Sequence, residues 1–213
     1  MLKEYIQKCY SEGKKIEDYF IDLIYPASVI KSRSEEDIKD AWDCHVFTCD
    51  QYPLLNEKYI DVKGIKSKDD AYNFIELIGY DGDHNQKLGW LFRGNADLIA
   101  FEKKDYFYLV DKHTLRNFIF LKIPIIKEVY DIATNKYLNT SKTNRTFNDF
   151  LLFEFQQMRD EEKTPVMWKK EDKEKALNEI LYSRMRSSSS PDLMIRLLTK
   201  ELEELAILIV NKI

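Results

Sequence analysis

Several absences narrow this chain before any motif is weighed. Its three cysteines, Cys9, Cys44 and Cys49, are an odd number without repeated Cys-x-x-Cys spacing, which argues against a disulfide framework and a structural zinc site. Cys44-His45 and Cys49 offer soft ligands, but the usual second ligand pair is missing. Long apolar runs are also lacking. The longest, Leu205-Ala206-Ile207-Leu208-Ile209-Val210, is far short of a membrane span, and Met1-Leu2-Lys3-Glu4-Tyr5 carries no apolar leader. A cytoplasmic protein without a membrane partner is therefore expected. Positive charge is in deficit as well, with 33 Lys and Arg against 37 Asp and Glu, a net charge of −4. No global field draws the chain onto nucleic acid, so any such binding must use a local patch.

What is present suffices for a real core. The 213 residues are 44% hydrophobic and 13% aromatic, which suits one domain with an appendage. The most informative stretch is Tyr59-Ile60-Asp61-Val62-Lys63-Gly64. Residues two apart on a strand share a face, so Asp61 and Lys63 project together while Val62 packs behind. Asp43, just after Trp42, is a second acid that a neighbouring strand could bring alongside. Two carboxylates and an ammonium in one patch are the minimum equipment for holding a divalent metal against a phosphodiester.

The apolar pattern places these residues. Residues 3–10 and 14–24 read as helices, with Ile6, Ile16, Tyr19, Phe20, Leu23 and Ile24 near 3.6 spacing and Gly13 separating the two. Strands are expected at 28–32, 42–48 and 59–64, with Pro53 and Asn56 in the turn before the last. Residues 69–78 favour a strand through Phe74-Ile75-Glu76-Leu77-Ile78, and 79–89 reads as a polar loop. Residues 97–101 and 106–110 form a hairpin, and a helix at 112–118 is capped by Asp111.

Beyond Tyr130 the chain changes character. Residues 134–146 carry Lys136, Lys142 and Arg145 and no acid, which reads as an exposed basic loop. Residues 147–158 are apolar again, 169–175 are a charge run opening a helix, and 187–190 are a serine linker. Ser190-Pro191-Asp192 reads as the start of a final helix with Ile195, Leu198, Leu202, Leu205 and Ile209 along one face. That face packs on its own domain or forms a homodimer seam. The expected division is a core at 1–130, a basic loop and mixed extension at 131–186, and a C-terminal amphipathic helix at 187–213.

The order of a helix bearing Glu17, an apolar strand, Asp43 and then Asp61-Val62-Lys63 resembles the PD-(D/E)XK nuclease superfamily. Phe74-Ile75-Glu76 and then Gly89-Trp90-Leu91-Phe92-Arg93-Gly94-Asn95-Ala96-Asp97-Leu98-Ile99-Ala100-Phe101-Glu102 are similar to small phage-encoded members with a Gly-Trp and an Ala-Asp-x-Ile-Ala-Phe element. The resemblance covers roughly residues 10 to 120. It implies an α/β restriction-endonuclease-like core, a central mixed sheet flanked by helices, here with a helical C-terminal appendage. It implies a Mg²⁺- or Mn²⁺-dependent nuclease acting on nucleic acid, DNA foremost, in the host cytoplasm if phage-encoded. Asp43, Asp61 and the Val62 carbonyl would hold the metal, with Glu17 an outer or second-metal ligand and Glu76 a weaker addition. Lys63 would stabilise charge on the phosphate. Lys136, Tyr137, Lys142 and Arg145 would contact the nucleic-acid backbone. The alternative is a nucleic-acid-binding or protein-interaction module that retains the fold without turnover.

Overall fold

The computed structural model describes residues 2–33, 41–65, 71–80, 86–140, 145–159, 184–185 and 191–212. The chain forms two compact units. The first comprises Met1–Asn73, Gly94–Leu115 and Leu197–Ile213, and the second Phe74–Arg93 and Arg116–Arg196.

The first unit is built on a six-stranded sheet. Helix α1 (Leu2–Leu23) precedes strands β1 (Ser28–Lys31), β2 (Cys44–Thr48) and β3 (Lys58–Lys63), with a 3-10 turn at Pro53–Leu55. After an excursion into the second unit the chain returns as β6 (Leu98–Glu102) and β7 (Tyr106–Asp111), and its last strand is β10 (Ala206–Asn211). The sheet order is β1-β2-β3-β6-β7-β10. All pairs are antiparallel except β3 with β6, whose register sets Asp61 beside Ile99 and Lys63 beside Phe101. The sheet is therefore mixed, as expected of an α/β chain. The expected strands at 28–32, 42–48 and 59–64 correspond to β1, β2 and β3, and the hairpin at 97–110 to β6 and β7.

One sheet face is closed by α1. Phe20, Leu23 and Ile24 pack onto Cys44, Val46, Ile60, Val62, Leu98, Ala100, Phe107 and Leu109, with Phe20 edge-on to Phe107 at 5.2 Å. Each buried Val, Leu, Ile or Phe among them contributes about 1.5–3 kcal/mol. That sum explains one departure from expectation: α1 runs unbroken through Gly13. A glycine inside a helix costs only about 1 kcal/mol relative to alanine, less than the stripe gains.

The second unit carries strands β4 (Tyr72–Tyr80), β5 (Gln86–Leu88), β8 (Arg184–Met185) and β9 (Pro191–Leu198), in the order β5-β4-β9-β8. Its helical part comprises α3 (Pro124–Asn139), α4 (Phe147–Arg159) and most of α2 (Lys112–Lys122). The strand expected at 69–78 is β4. The polar loop expected at 79–89 contains β5, and the helix expected at 169–175 lies outside the described residues. Asp111 caps α2 as expected, accepting the Thr114 N–H at 2.7 Å.

Two expectations are corrected. The basic loop at 134–146 is helical as far as Asn139, because Ile126, Val129 and Ala133 bury one face of α3 and carry the helix onward. The single C-terminal helix does not form. Residues 191–198 are β9, Thr199–Leu205 is a two-turn helix α5, and Ala206–Asn211 is β10, paired to β7. Branched residues suit a strand, and β7 offers the open edge that lets them pair. The helical face on which the homodimer expectation rested is thus absent. No described helix is long and apolar enough to cross a membrane.

Candidate active site

The register of β2 and β3 brings the two expected acids together. Cys44 faces Ile60 and His45 faces Tyr59, so one further step sets residue 43 opposite residue 61. Asp43 is fixed there by its own backbone, its N–H donating to the Ile60 carbonyl at 2.8 Å and its carbonyl accepting the Ser32 N–H at 2.8 Å. Its Oδ2 accepts the Val62 N–H at 2.6 Å, so the side chain reaches across to the backbone between Asp61 and Lys63. Ala41, at a left-handed φ of 45°, turns the chain into this position, and Trp42 lies edge-on to Tyr59 at 5.1 Å. Tyr59 in turn stacks on His45 at 4.1 Å, tying β2 to β3 on the site's side.

Asp61 is 3% exposed and Asp43 6% exposed. Lys63 Nζ lies 2.7 Å from Asp61 Oδ1, with a quarter of its side chain open to solvent. The other oxygen, Oδ2 of Asp61, is buried and has no hydrogen-bond partner. A buried carboxylate oxygen left unbonded is costly, and its placement beside a second acid marks a spot that favours positive charge.

The electrostatics agree. Burial, then the charge of Asp61 and the further charge of Glu17, push the Asp43 carboxyl up to about 9, against the opposing pull of Lys63 and the Val62 N–H. Cys44, next along β2, is raised by burial and by the same carboxylates, so its thiol stays protonated. Cys49 is also buried, its Sγ 3.8 Å from the Ile24 carbonyl.

Glu17 approaches from α1, with Lys14 at 3.4 Å. The close approach of α1 depends on Gly64, where an added Cβ would lie 2.5 Å from Ile16 Cδ1. The three carboxylates influence one another without closing on a common point: among the described residues no group of three or more His, Cys, Asp or Glu forms a ready metal shell. The donors that fit a hard cation are Asp61 Oδ2, the Asp43 carboxylate and the nearby Val62 backbone, with Glu17 at the margin.

The remaining expected residues lie in the second unit. Glu76, on β4, folds its carboxylate over Gly79. Lys136 forms an ion pair with the buried Glu154 at 2.6 Å, and Tyr137 packs edge-on to Phe147 and Phe150. Arg145 is exposed, and Lys142 lies outside the described residues. Sequence reasoning gave Glu102 and Lys212 no role. Glu102 Oε2 accepts the Ile65 N–H at 3.0 Å, and Lys212 Nζ donates to Glu102 Oε1 at 2.8 Å. The available signal was an acid closing an apolar strand, which reads equally as an ordinary turn residue.

Comparison with protein-family profiles, with curated proteins and with solved structures finds no match.

Proposed function

We propose that this chain is a Mg²⁺- or Mn²⁺-dependent nuclease that hydrolyses phosphodiester bonds, in DNA foremost, at Asp43, Asp61 and Lys63. The observation that carries the reading is the buried, unbonded Asp61 Oδ2 beside an Asp43 held above the usual carboxylate range. The sheet supports it further. A helix followed by an antiparallel β1-β2-β3 meander, with the next strand of the sheet parallel to β3, agrees with the restriction-endonuclease-like core implied by the PD-(D/E)XK resemblance.

The chemistry follows from the donors. A bound Mg²⁺ or Mn²⁺ would supply positive charge against the phosphate oxygens and lower the pKa of the water that it holds. Asp43 and Asp61 fix the position of that charge, because the hydrogen bond from Val62 and the ion pair with Lys63 leave their carboxylates little freedom. Lys63 stabilises charge developing on the phosphate oxygens, its ammonium form sustained by Asp61. Hydrolysis adds the water oxygen to phosphorus and breaks the bond to the leaving oxygen, which takes up a proton, without electron transfer. Glu17 serves at the outer edge of the site.

The second reading is a non-catalytic nucleic-acid-binding or protein-interaction module that retains the fold. Incubation with single- and double-stranded DNA and with RNA, with and without Mg²⁺ or Mn²⁺, separates the two. The nuclease reading expects metal-dependent cutting that Asp61→Ala and Lys63→Ala remove. Cutting without metal, or none on any substrate, overturns it, and mutants that bind nucleic acid unchanged then support the module.

A further inference from the structure

We propose that Glu102 and Lys212 are positioning residues for Lys63, fixing the end of β3 so that its ammonium stays on Asp61 and over the scissile phosphate. The inference rests on the nuclease reading for its catalytic consequence.

The pair acts on the backbone just beyond Lys63. Strand β3 ends at Lys63, and the chain then leaves through Gly64 and Ile65. A strand end held only by its ladder frays, and an aliphatic lysine stem carried by a fraying backbone loses its aim. Here the Ile65 N–H is held by Glu102 Oε2 at 3.0 Å, from the end of the neighbouring parallel strand β6. The other oxygen of Glu102 is held at 2.8 Å by Lys212, immediately after β10.

Lys212 is itself confined. Its N–H donates to the Asp105 carbonyl at 2.8 Å, and its ammonium lies 5.2 Å from the Phe107 ring and 5.7 Å from that of Tyr19. Both Glu102 and Lys212 side chains are largely sheltered from water, where a charge-assisted pair holds its geometry better than an exposed one. Tyr19 and Ile16 lie on α1 near Glu17, and Ile16 is the residue that Gly64 admits. The last strand of the chain is thereby linked through Glu102 to the exit from the Asp61-Val62-Lys63 triplet.

Displacements near 1 Å of a group acting on the reacting bond can cost about a hundredfold in rate, so a loosened β3 end is expected to show mainly in turnover. The test compares full-length wild type with Glu102→Ala, Glu102→Gln, Lys212→Met and Lys212→Arg. It reads kcat and KM for Mg²⁺-dependent DNA cleavage, Mn²⁺ affinity by calorimetry, and hydrogen exchange at the Ile65 amide. Glu102→Ala should lower kcat about tenfold or more, with KM and Mn²⁺ affinity held within about twofold and the Ile65 amide exchanging faster. Lys212→Met should fall between it and wild type, and Lys212→Arg should restore most of the rate.

Unchanged kcat in a folded Glu102→Ala with a freed Ile65 amide overturns the proposal. So does a fall in kcat that tracks a fall in Mn²⁺ affinity, which is the mark of a merely structural role. If Glu102→Ala fails to fold, Glu102→Gln, which keeps an acceptor for Ile65 but loses the ion pair, carries the comparison. If the wild type cuts no nucleic acid, the nuclease reading fails by itself. The positioning is then read from the rate at which a water-soluble acylating reagent labels the Lys63 amine: faster labelling in Glu102→Ala supports it, and an unchanged rate overturns it.

Discussion

Two buried carboxylates in this protein each have a lysine at hydrogen-bond distance, yet they serve different ends. In the second unit Glu154, 5% exposed, meets Lys136 at 2.6 Å, and neither of its oxygens is buried and unbonded. In the first unit Asp61 meets Lys63 at 2.7 Å, but its other oxygen is orphaned and Asp43 and Glu17 crowd the same region. The first pair is balanced; the second lies beside a further carboxyl group that only a proton or a bound cation compensates. What separates a stabilising ion pair from a candidate cation site is therefore the neighbourhood of the pair and not its own geometry.

The largest way to break this contrast is to remove the crowded carboxylate or its lysine. Asp61→Ala and Lys63→Ala should each lower Mg²⁺-dependent cleavage by about a hundredfold or more. The thermal midpoint of Asp61→Ala should barely move, because the substitution also removes an unbonded buried oxygen, whereas Lys63→Ala strips the buried Asp61 of its partner and should lower it. Rate assays and thermal melts on the same preparations check both halves.

The pH dependence sharpens it next. Asp43 has a folded-state pKa raised from 3.8 to about 9, so the folded chain retains a proton that the unfolded chain releases. Stability is then greatest below pH 3.8 as far as this group is concerned, and is lost as pH rises from there toward 9. Stability without metal should therefore fall steadily as pH rises from about 5 to 8. Denaturant titrations without metal should show that fall, Asp43→Asn should flatten it, and Mn²⁺ should restore stability at pH 8.

At the balanced pair, Lys136→Ala strips Glu154 of its partner and should cost about 1.5 kcal/mol. This lies below the cost of breaking a fully buried pair, because Lys136 is itself 49% exposed. Mn²⁺ affinity should not change, and a loss of metal binding in this variant would erase the distinction between the two pairs. The smallest effect belongs to Gly64→Ala, whose methyl must displace the flexible end of Ile16. About 1 kcal/mol of destabilisation is expected by chemical denaturation, with a fall in cleavage as α1 and Glu17 move outward.

Legibility in the sequence followed the range of the interactions involved. The triplet's strand, the 97–110 hairpin and the Asp111 cap were readable because alternation and capping act over a few residues. The C-terminal segment was misread because Ile195, Leu198, Leu202, Leu205 and Ile209 satisfy a helical spacing as well as the strand-helix-strand path that the chain takes. Gly13 was misread as a break because a local cost was weighed without the burial of Phe20, Leu23 and Ile24 that outweighs it. The Lys136 of an apparent basic loop turned out to be neutralised by Glu154, 18 positions away and silent in the local pattern.

By itself, then, the sequence determined that Asp61 and Lys63 share one side of a strand, since alternation follows from the pleated backbone alone. It also determined that α1 has an apolar stripe to bury. Only the tertiary structure decided that Asp43 lies opposite Asp61, that one oxygen of Asp61 is buried unbonded, and that β10 rather than a helix completes the sheet. Those outcomes depend on strand register and on which edges stay open, both set by contacts between residues far apart in the chain, which no local pattern encodes.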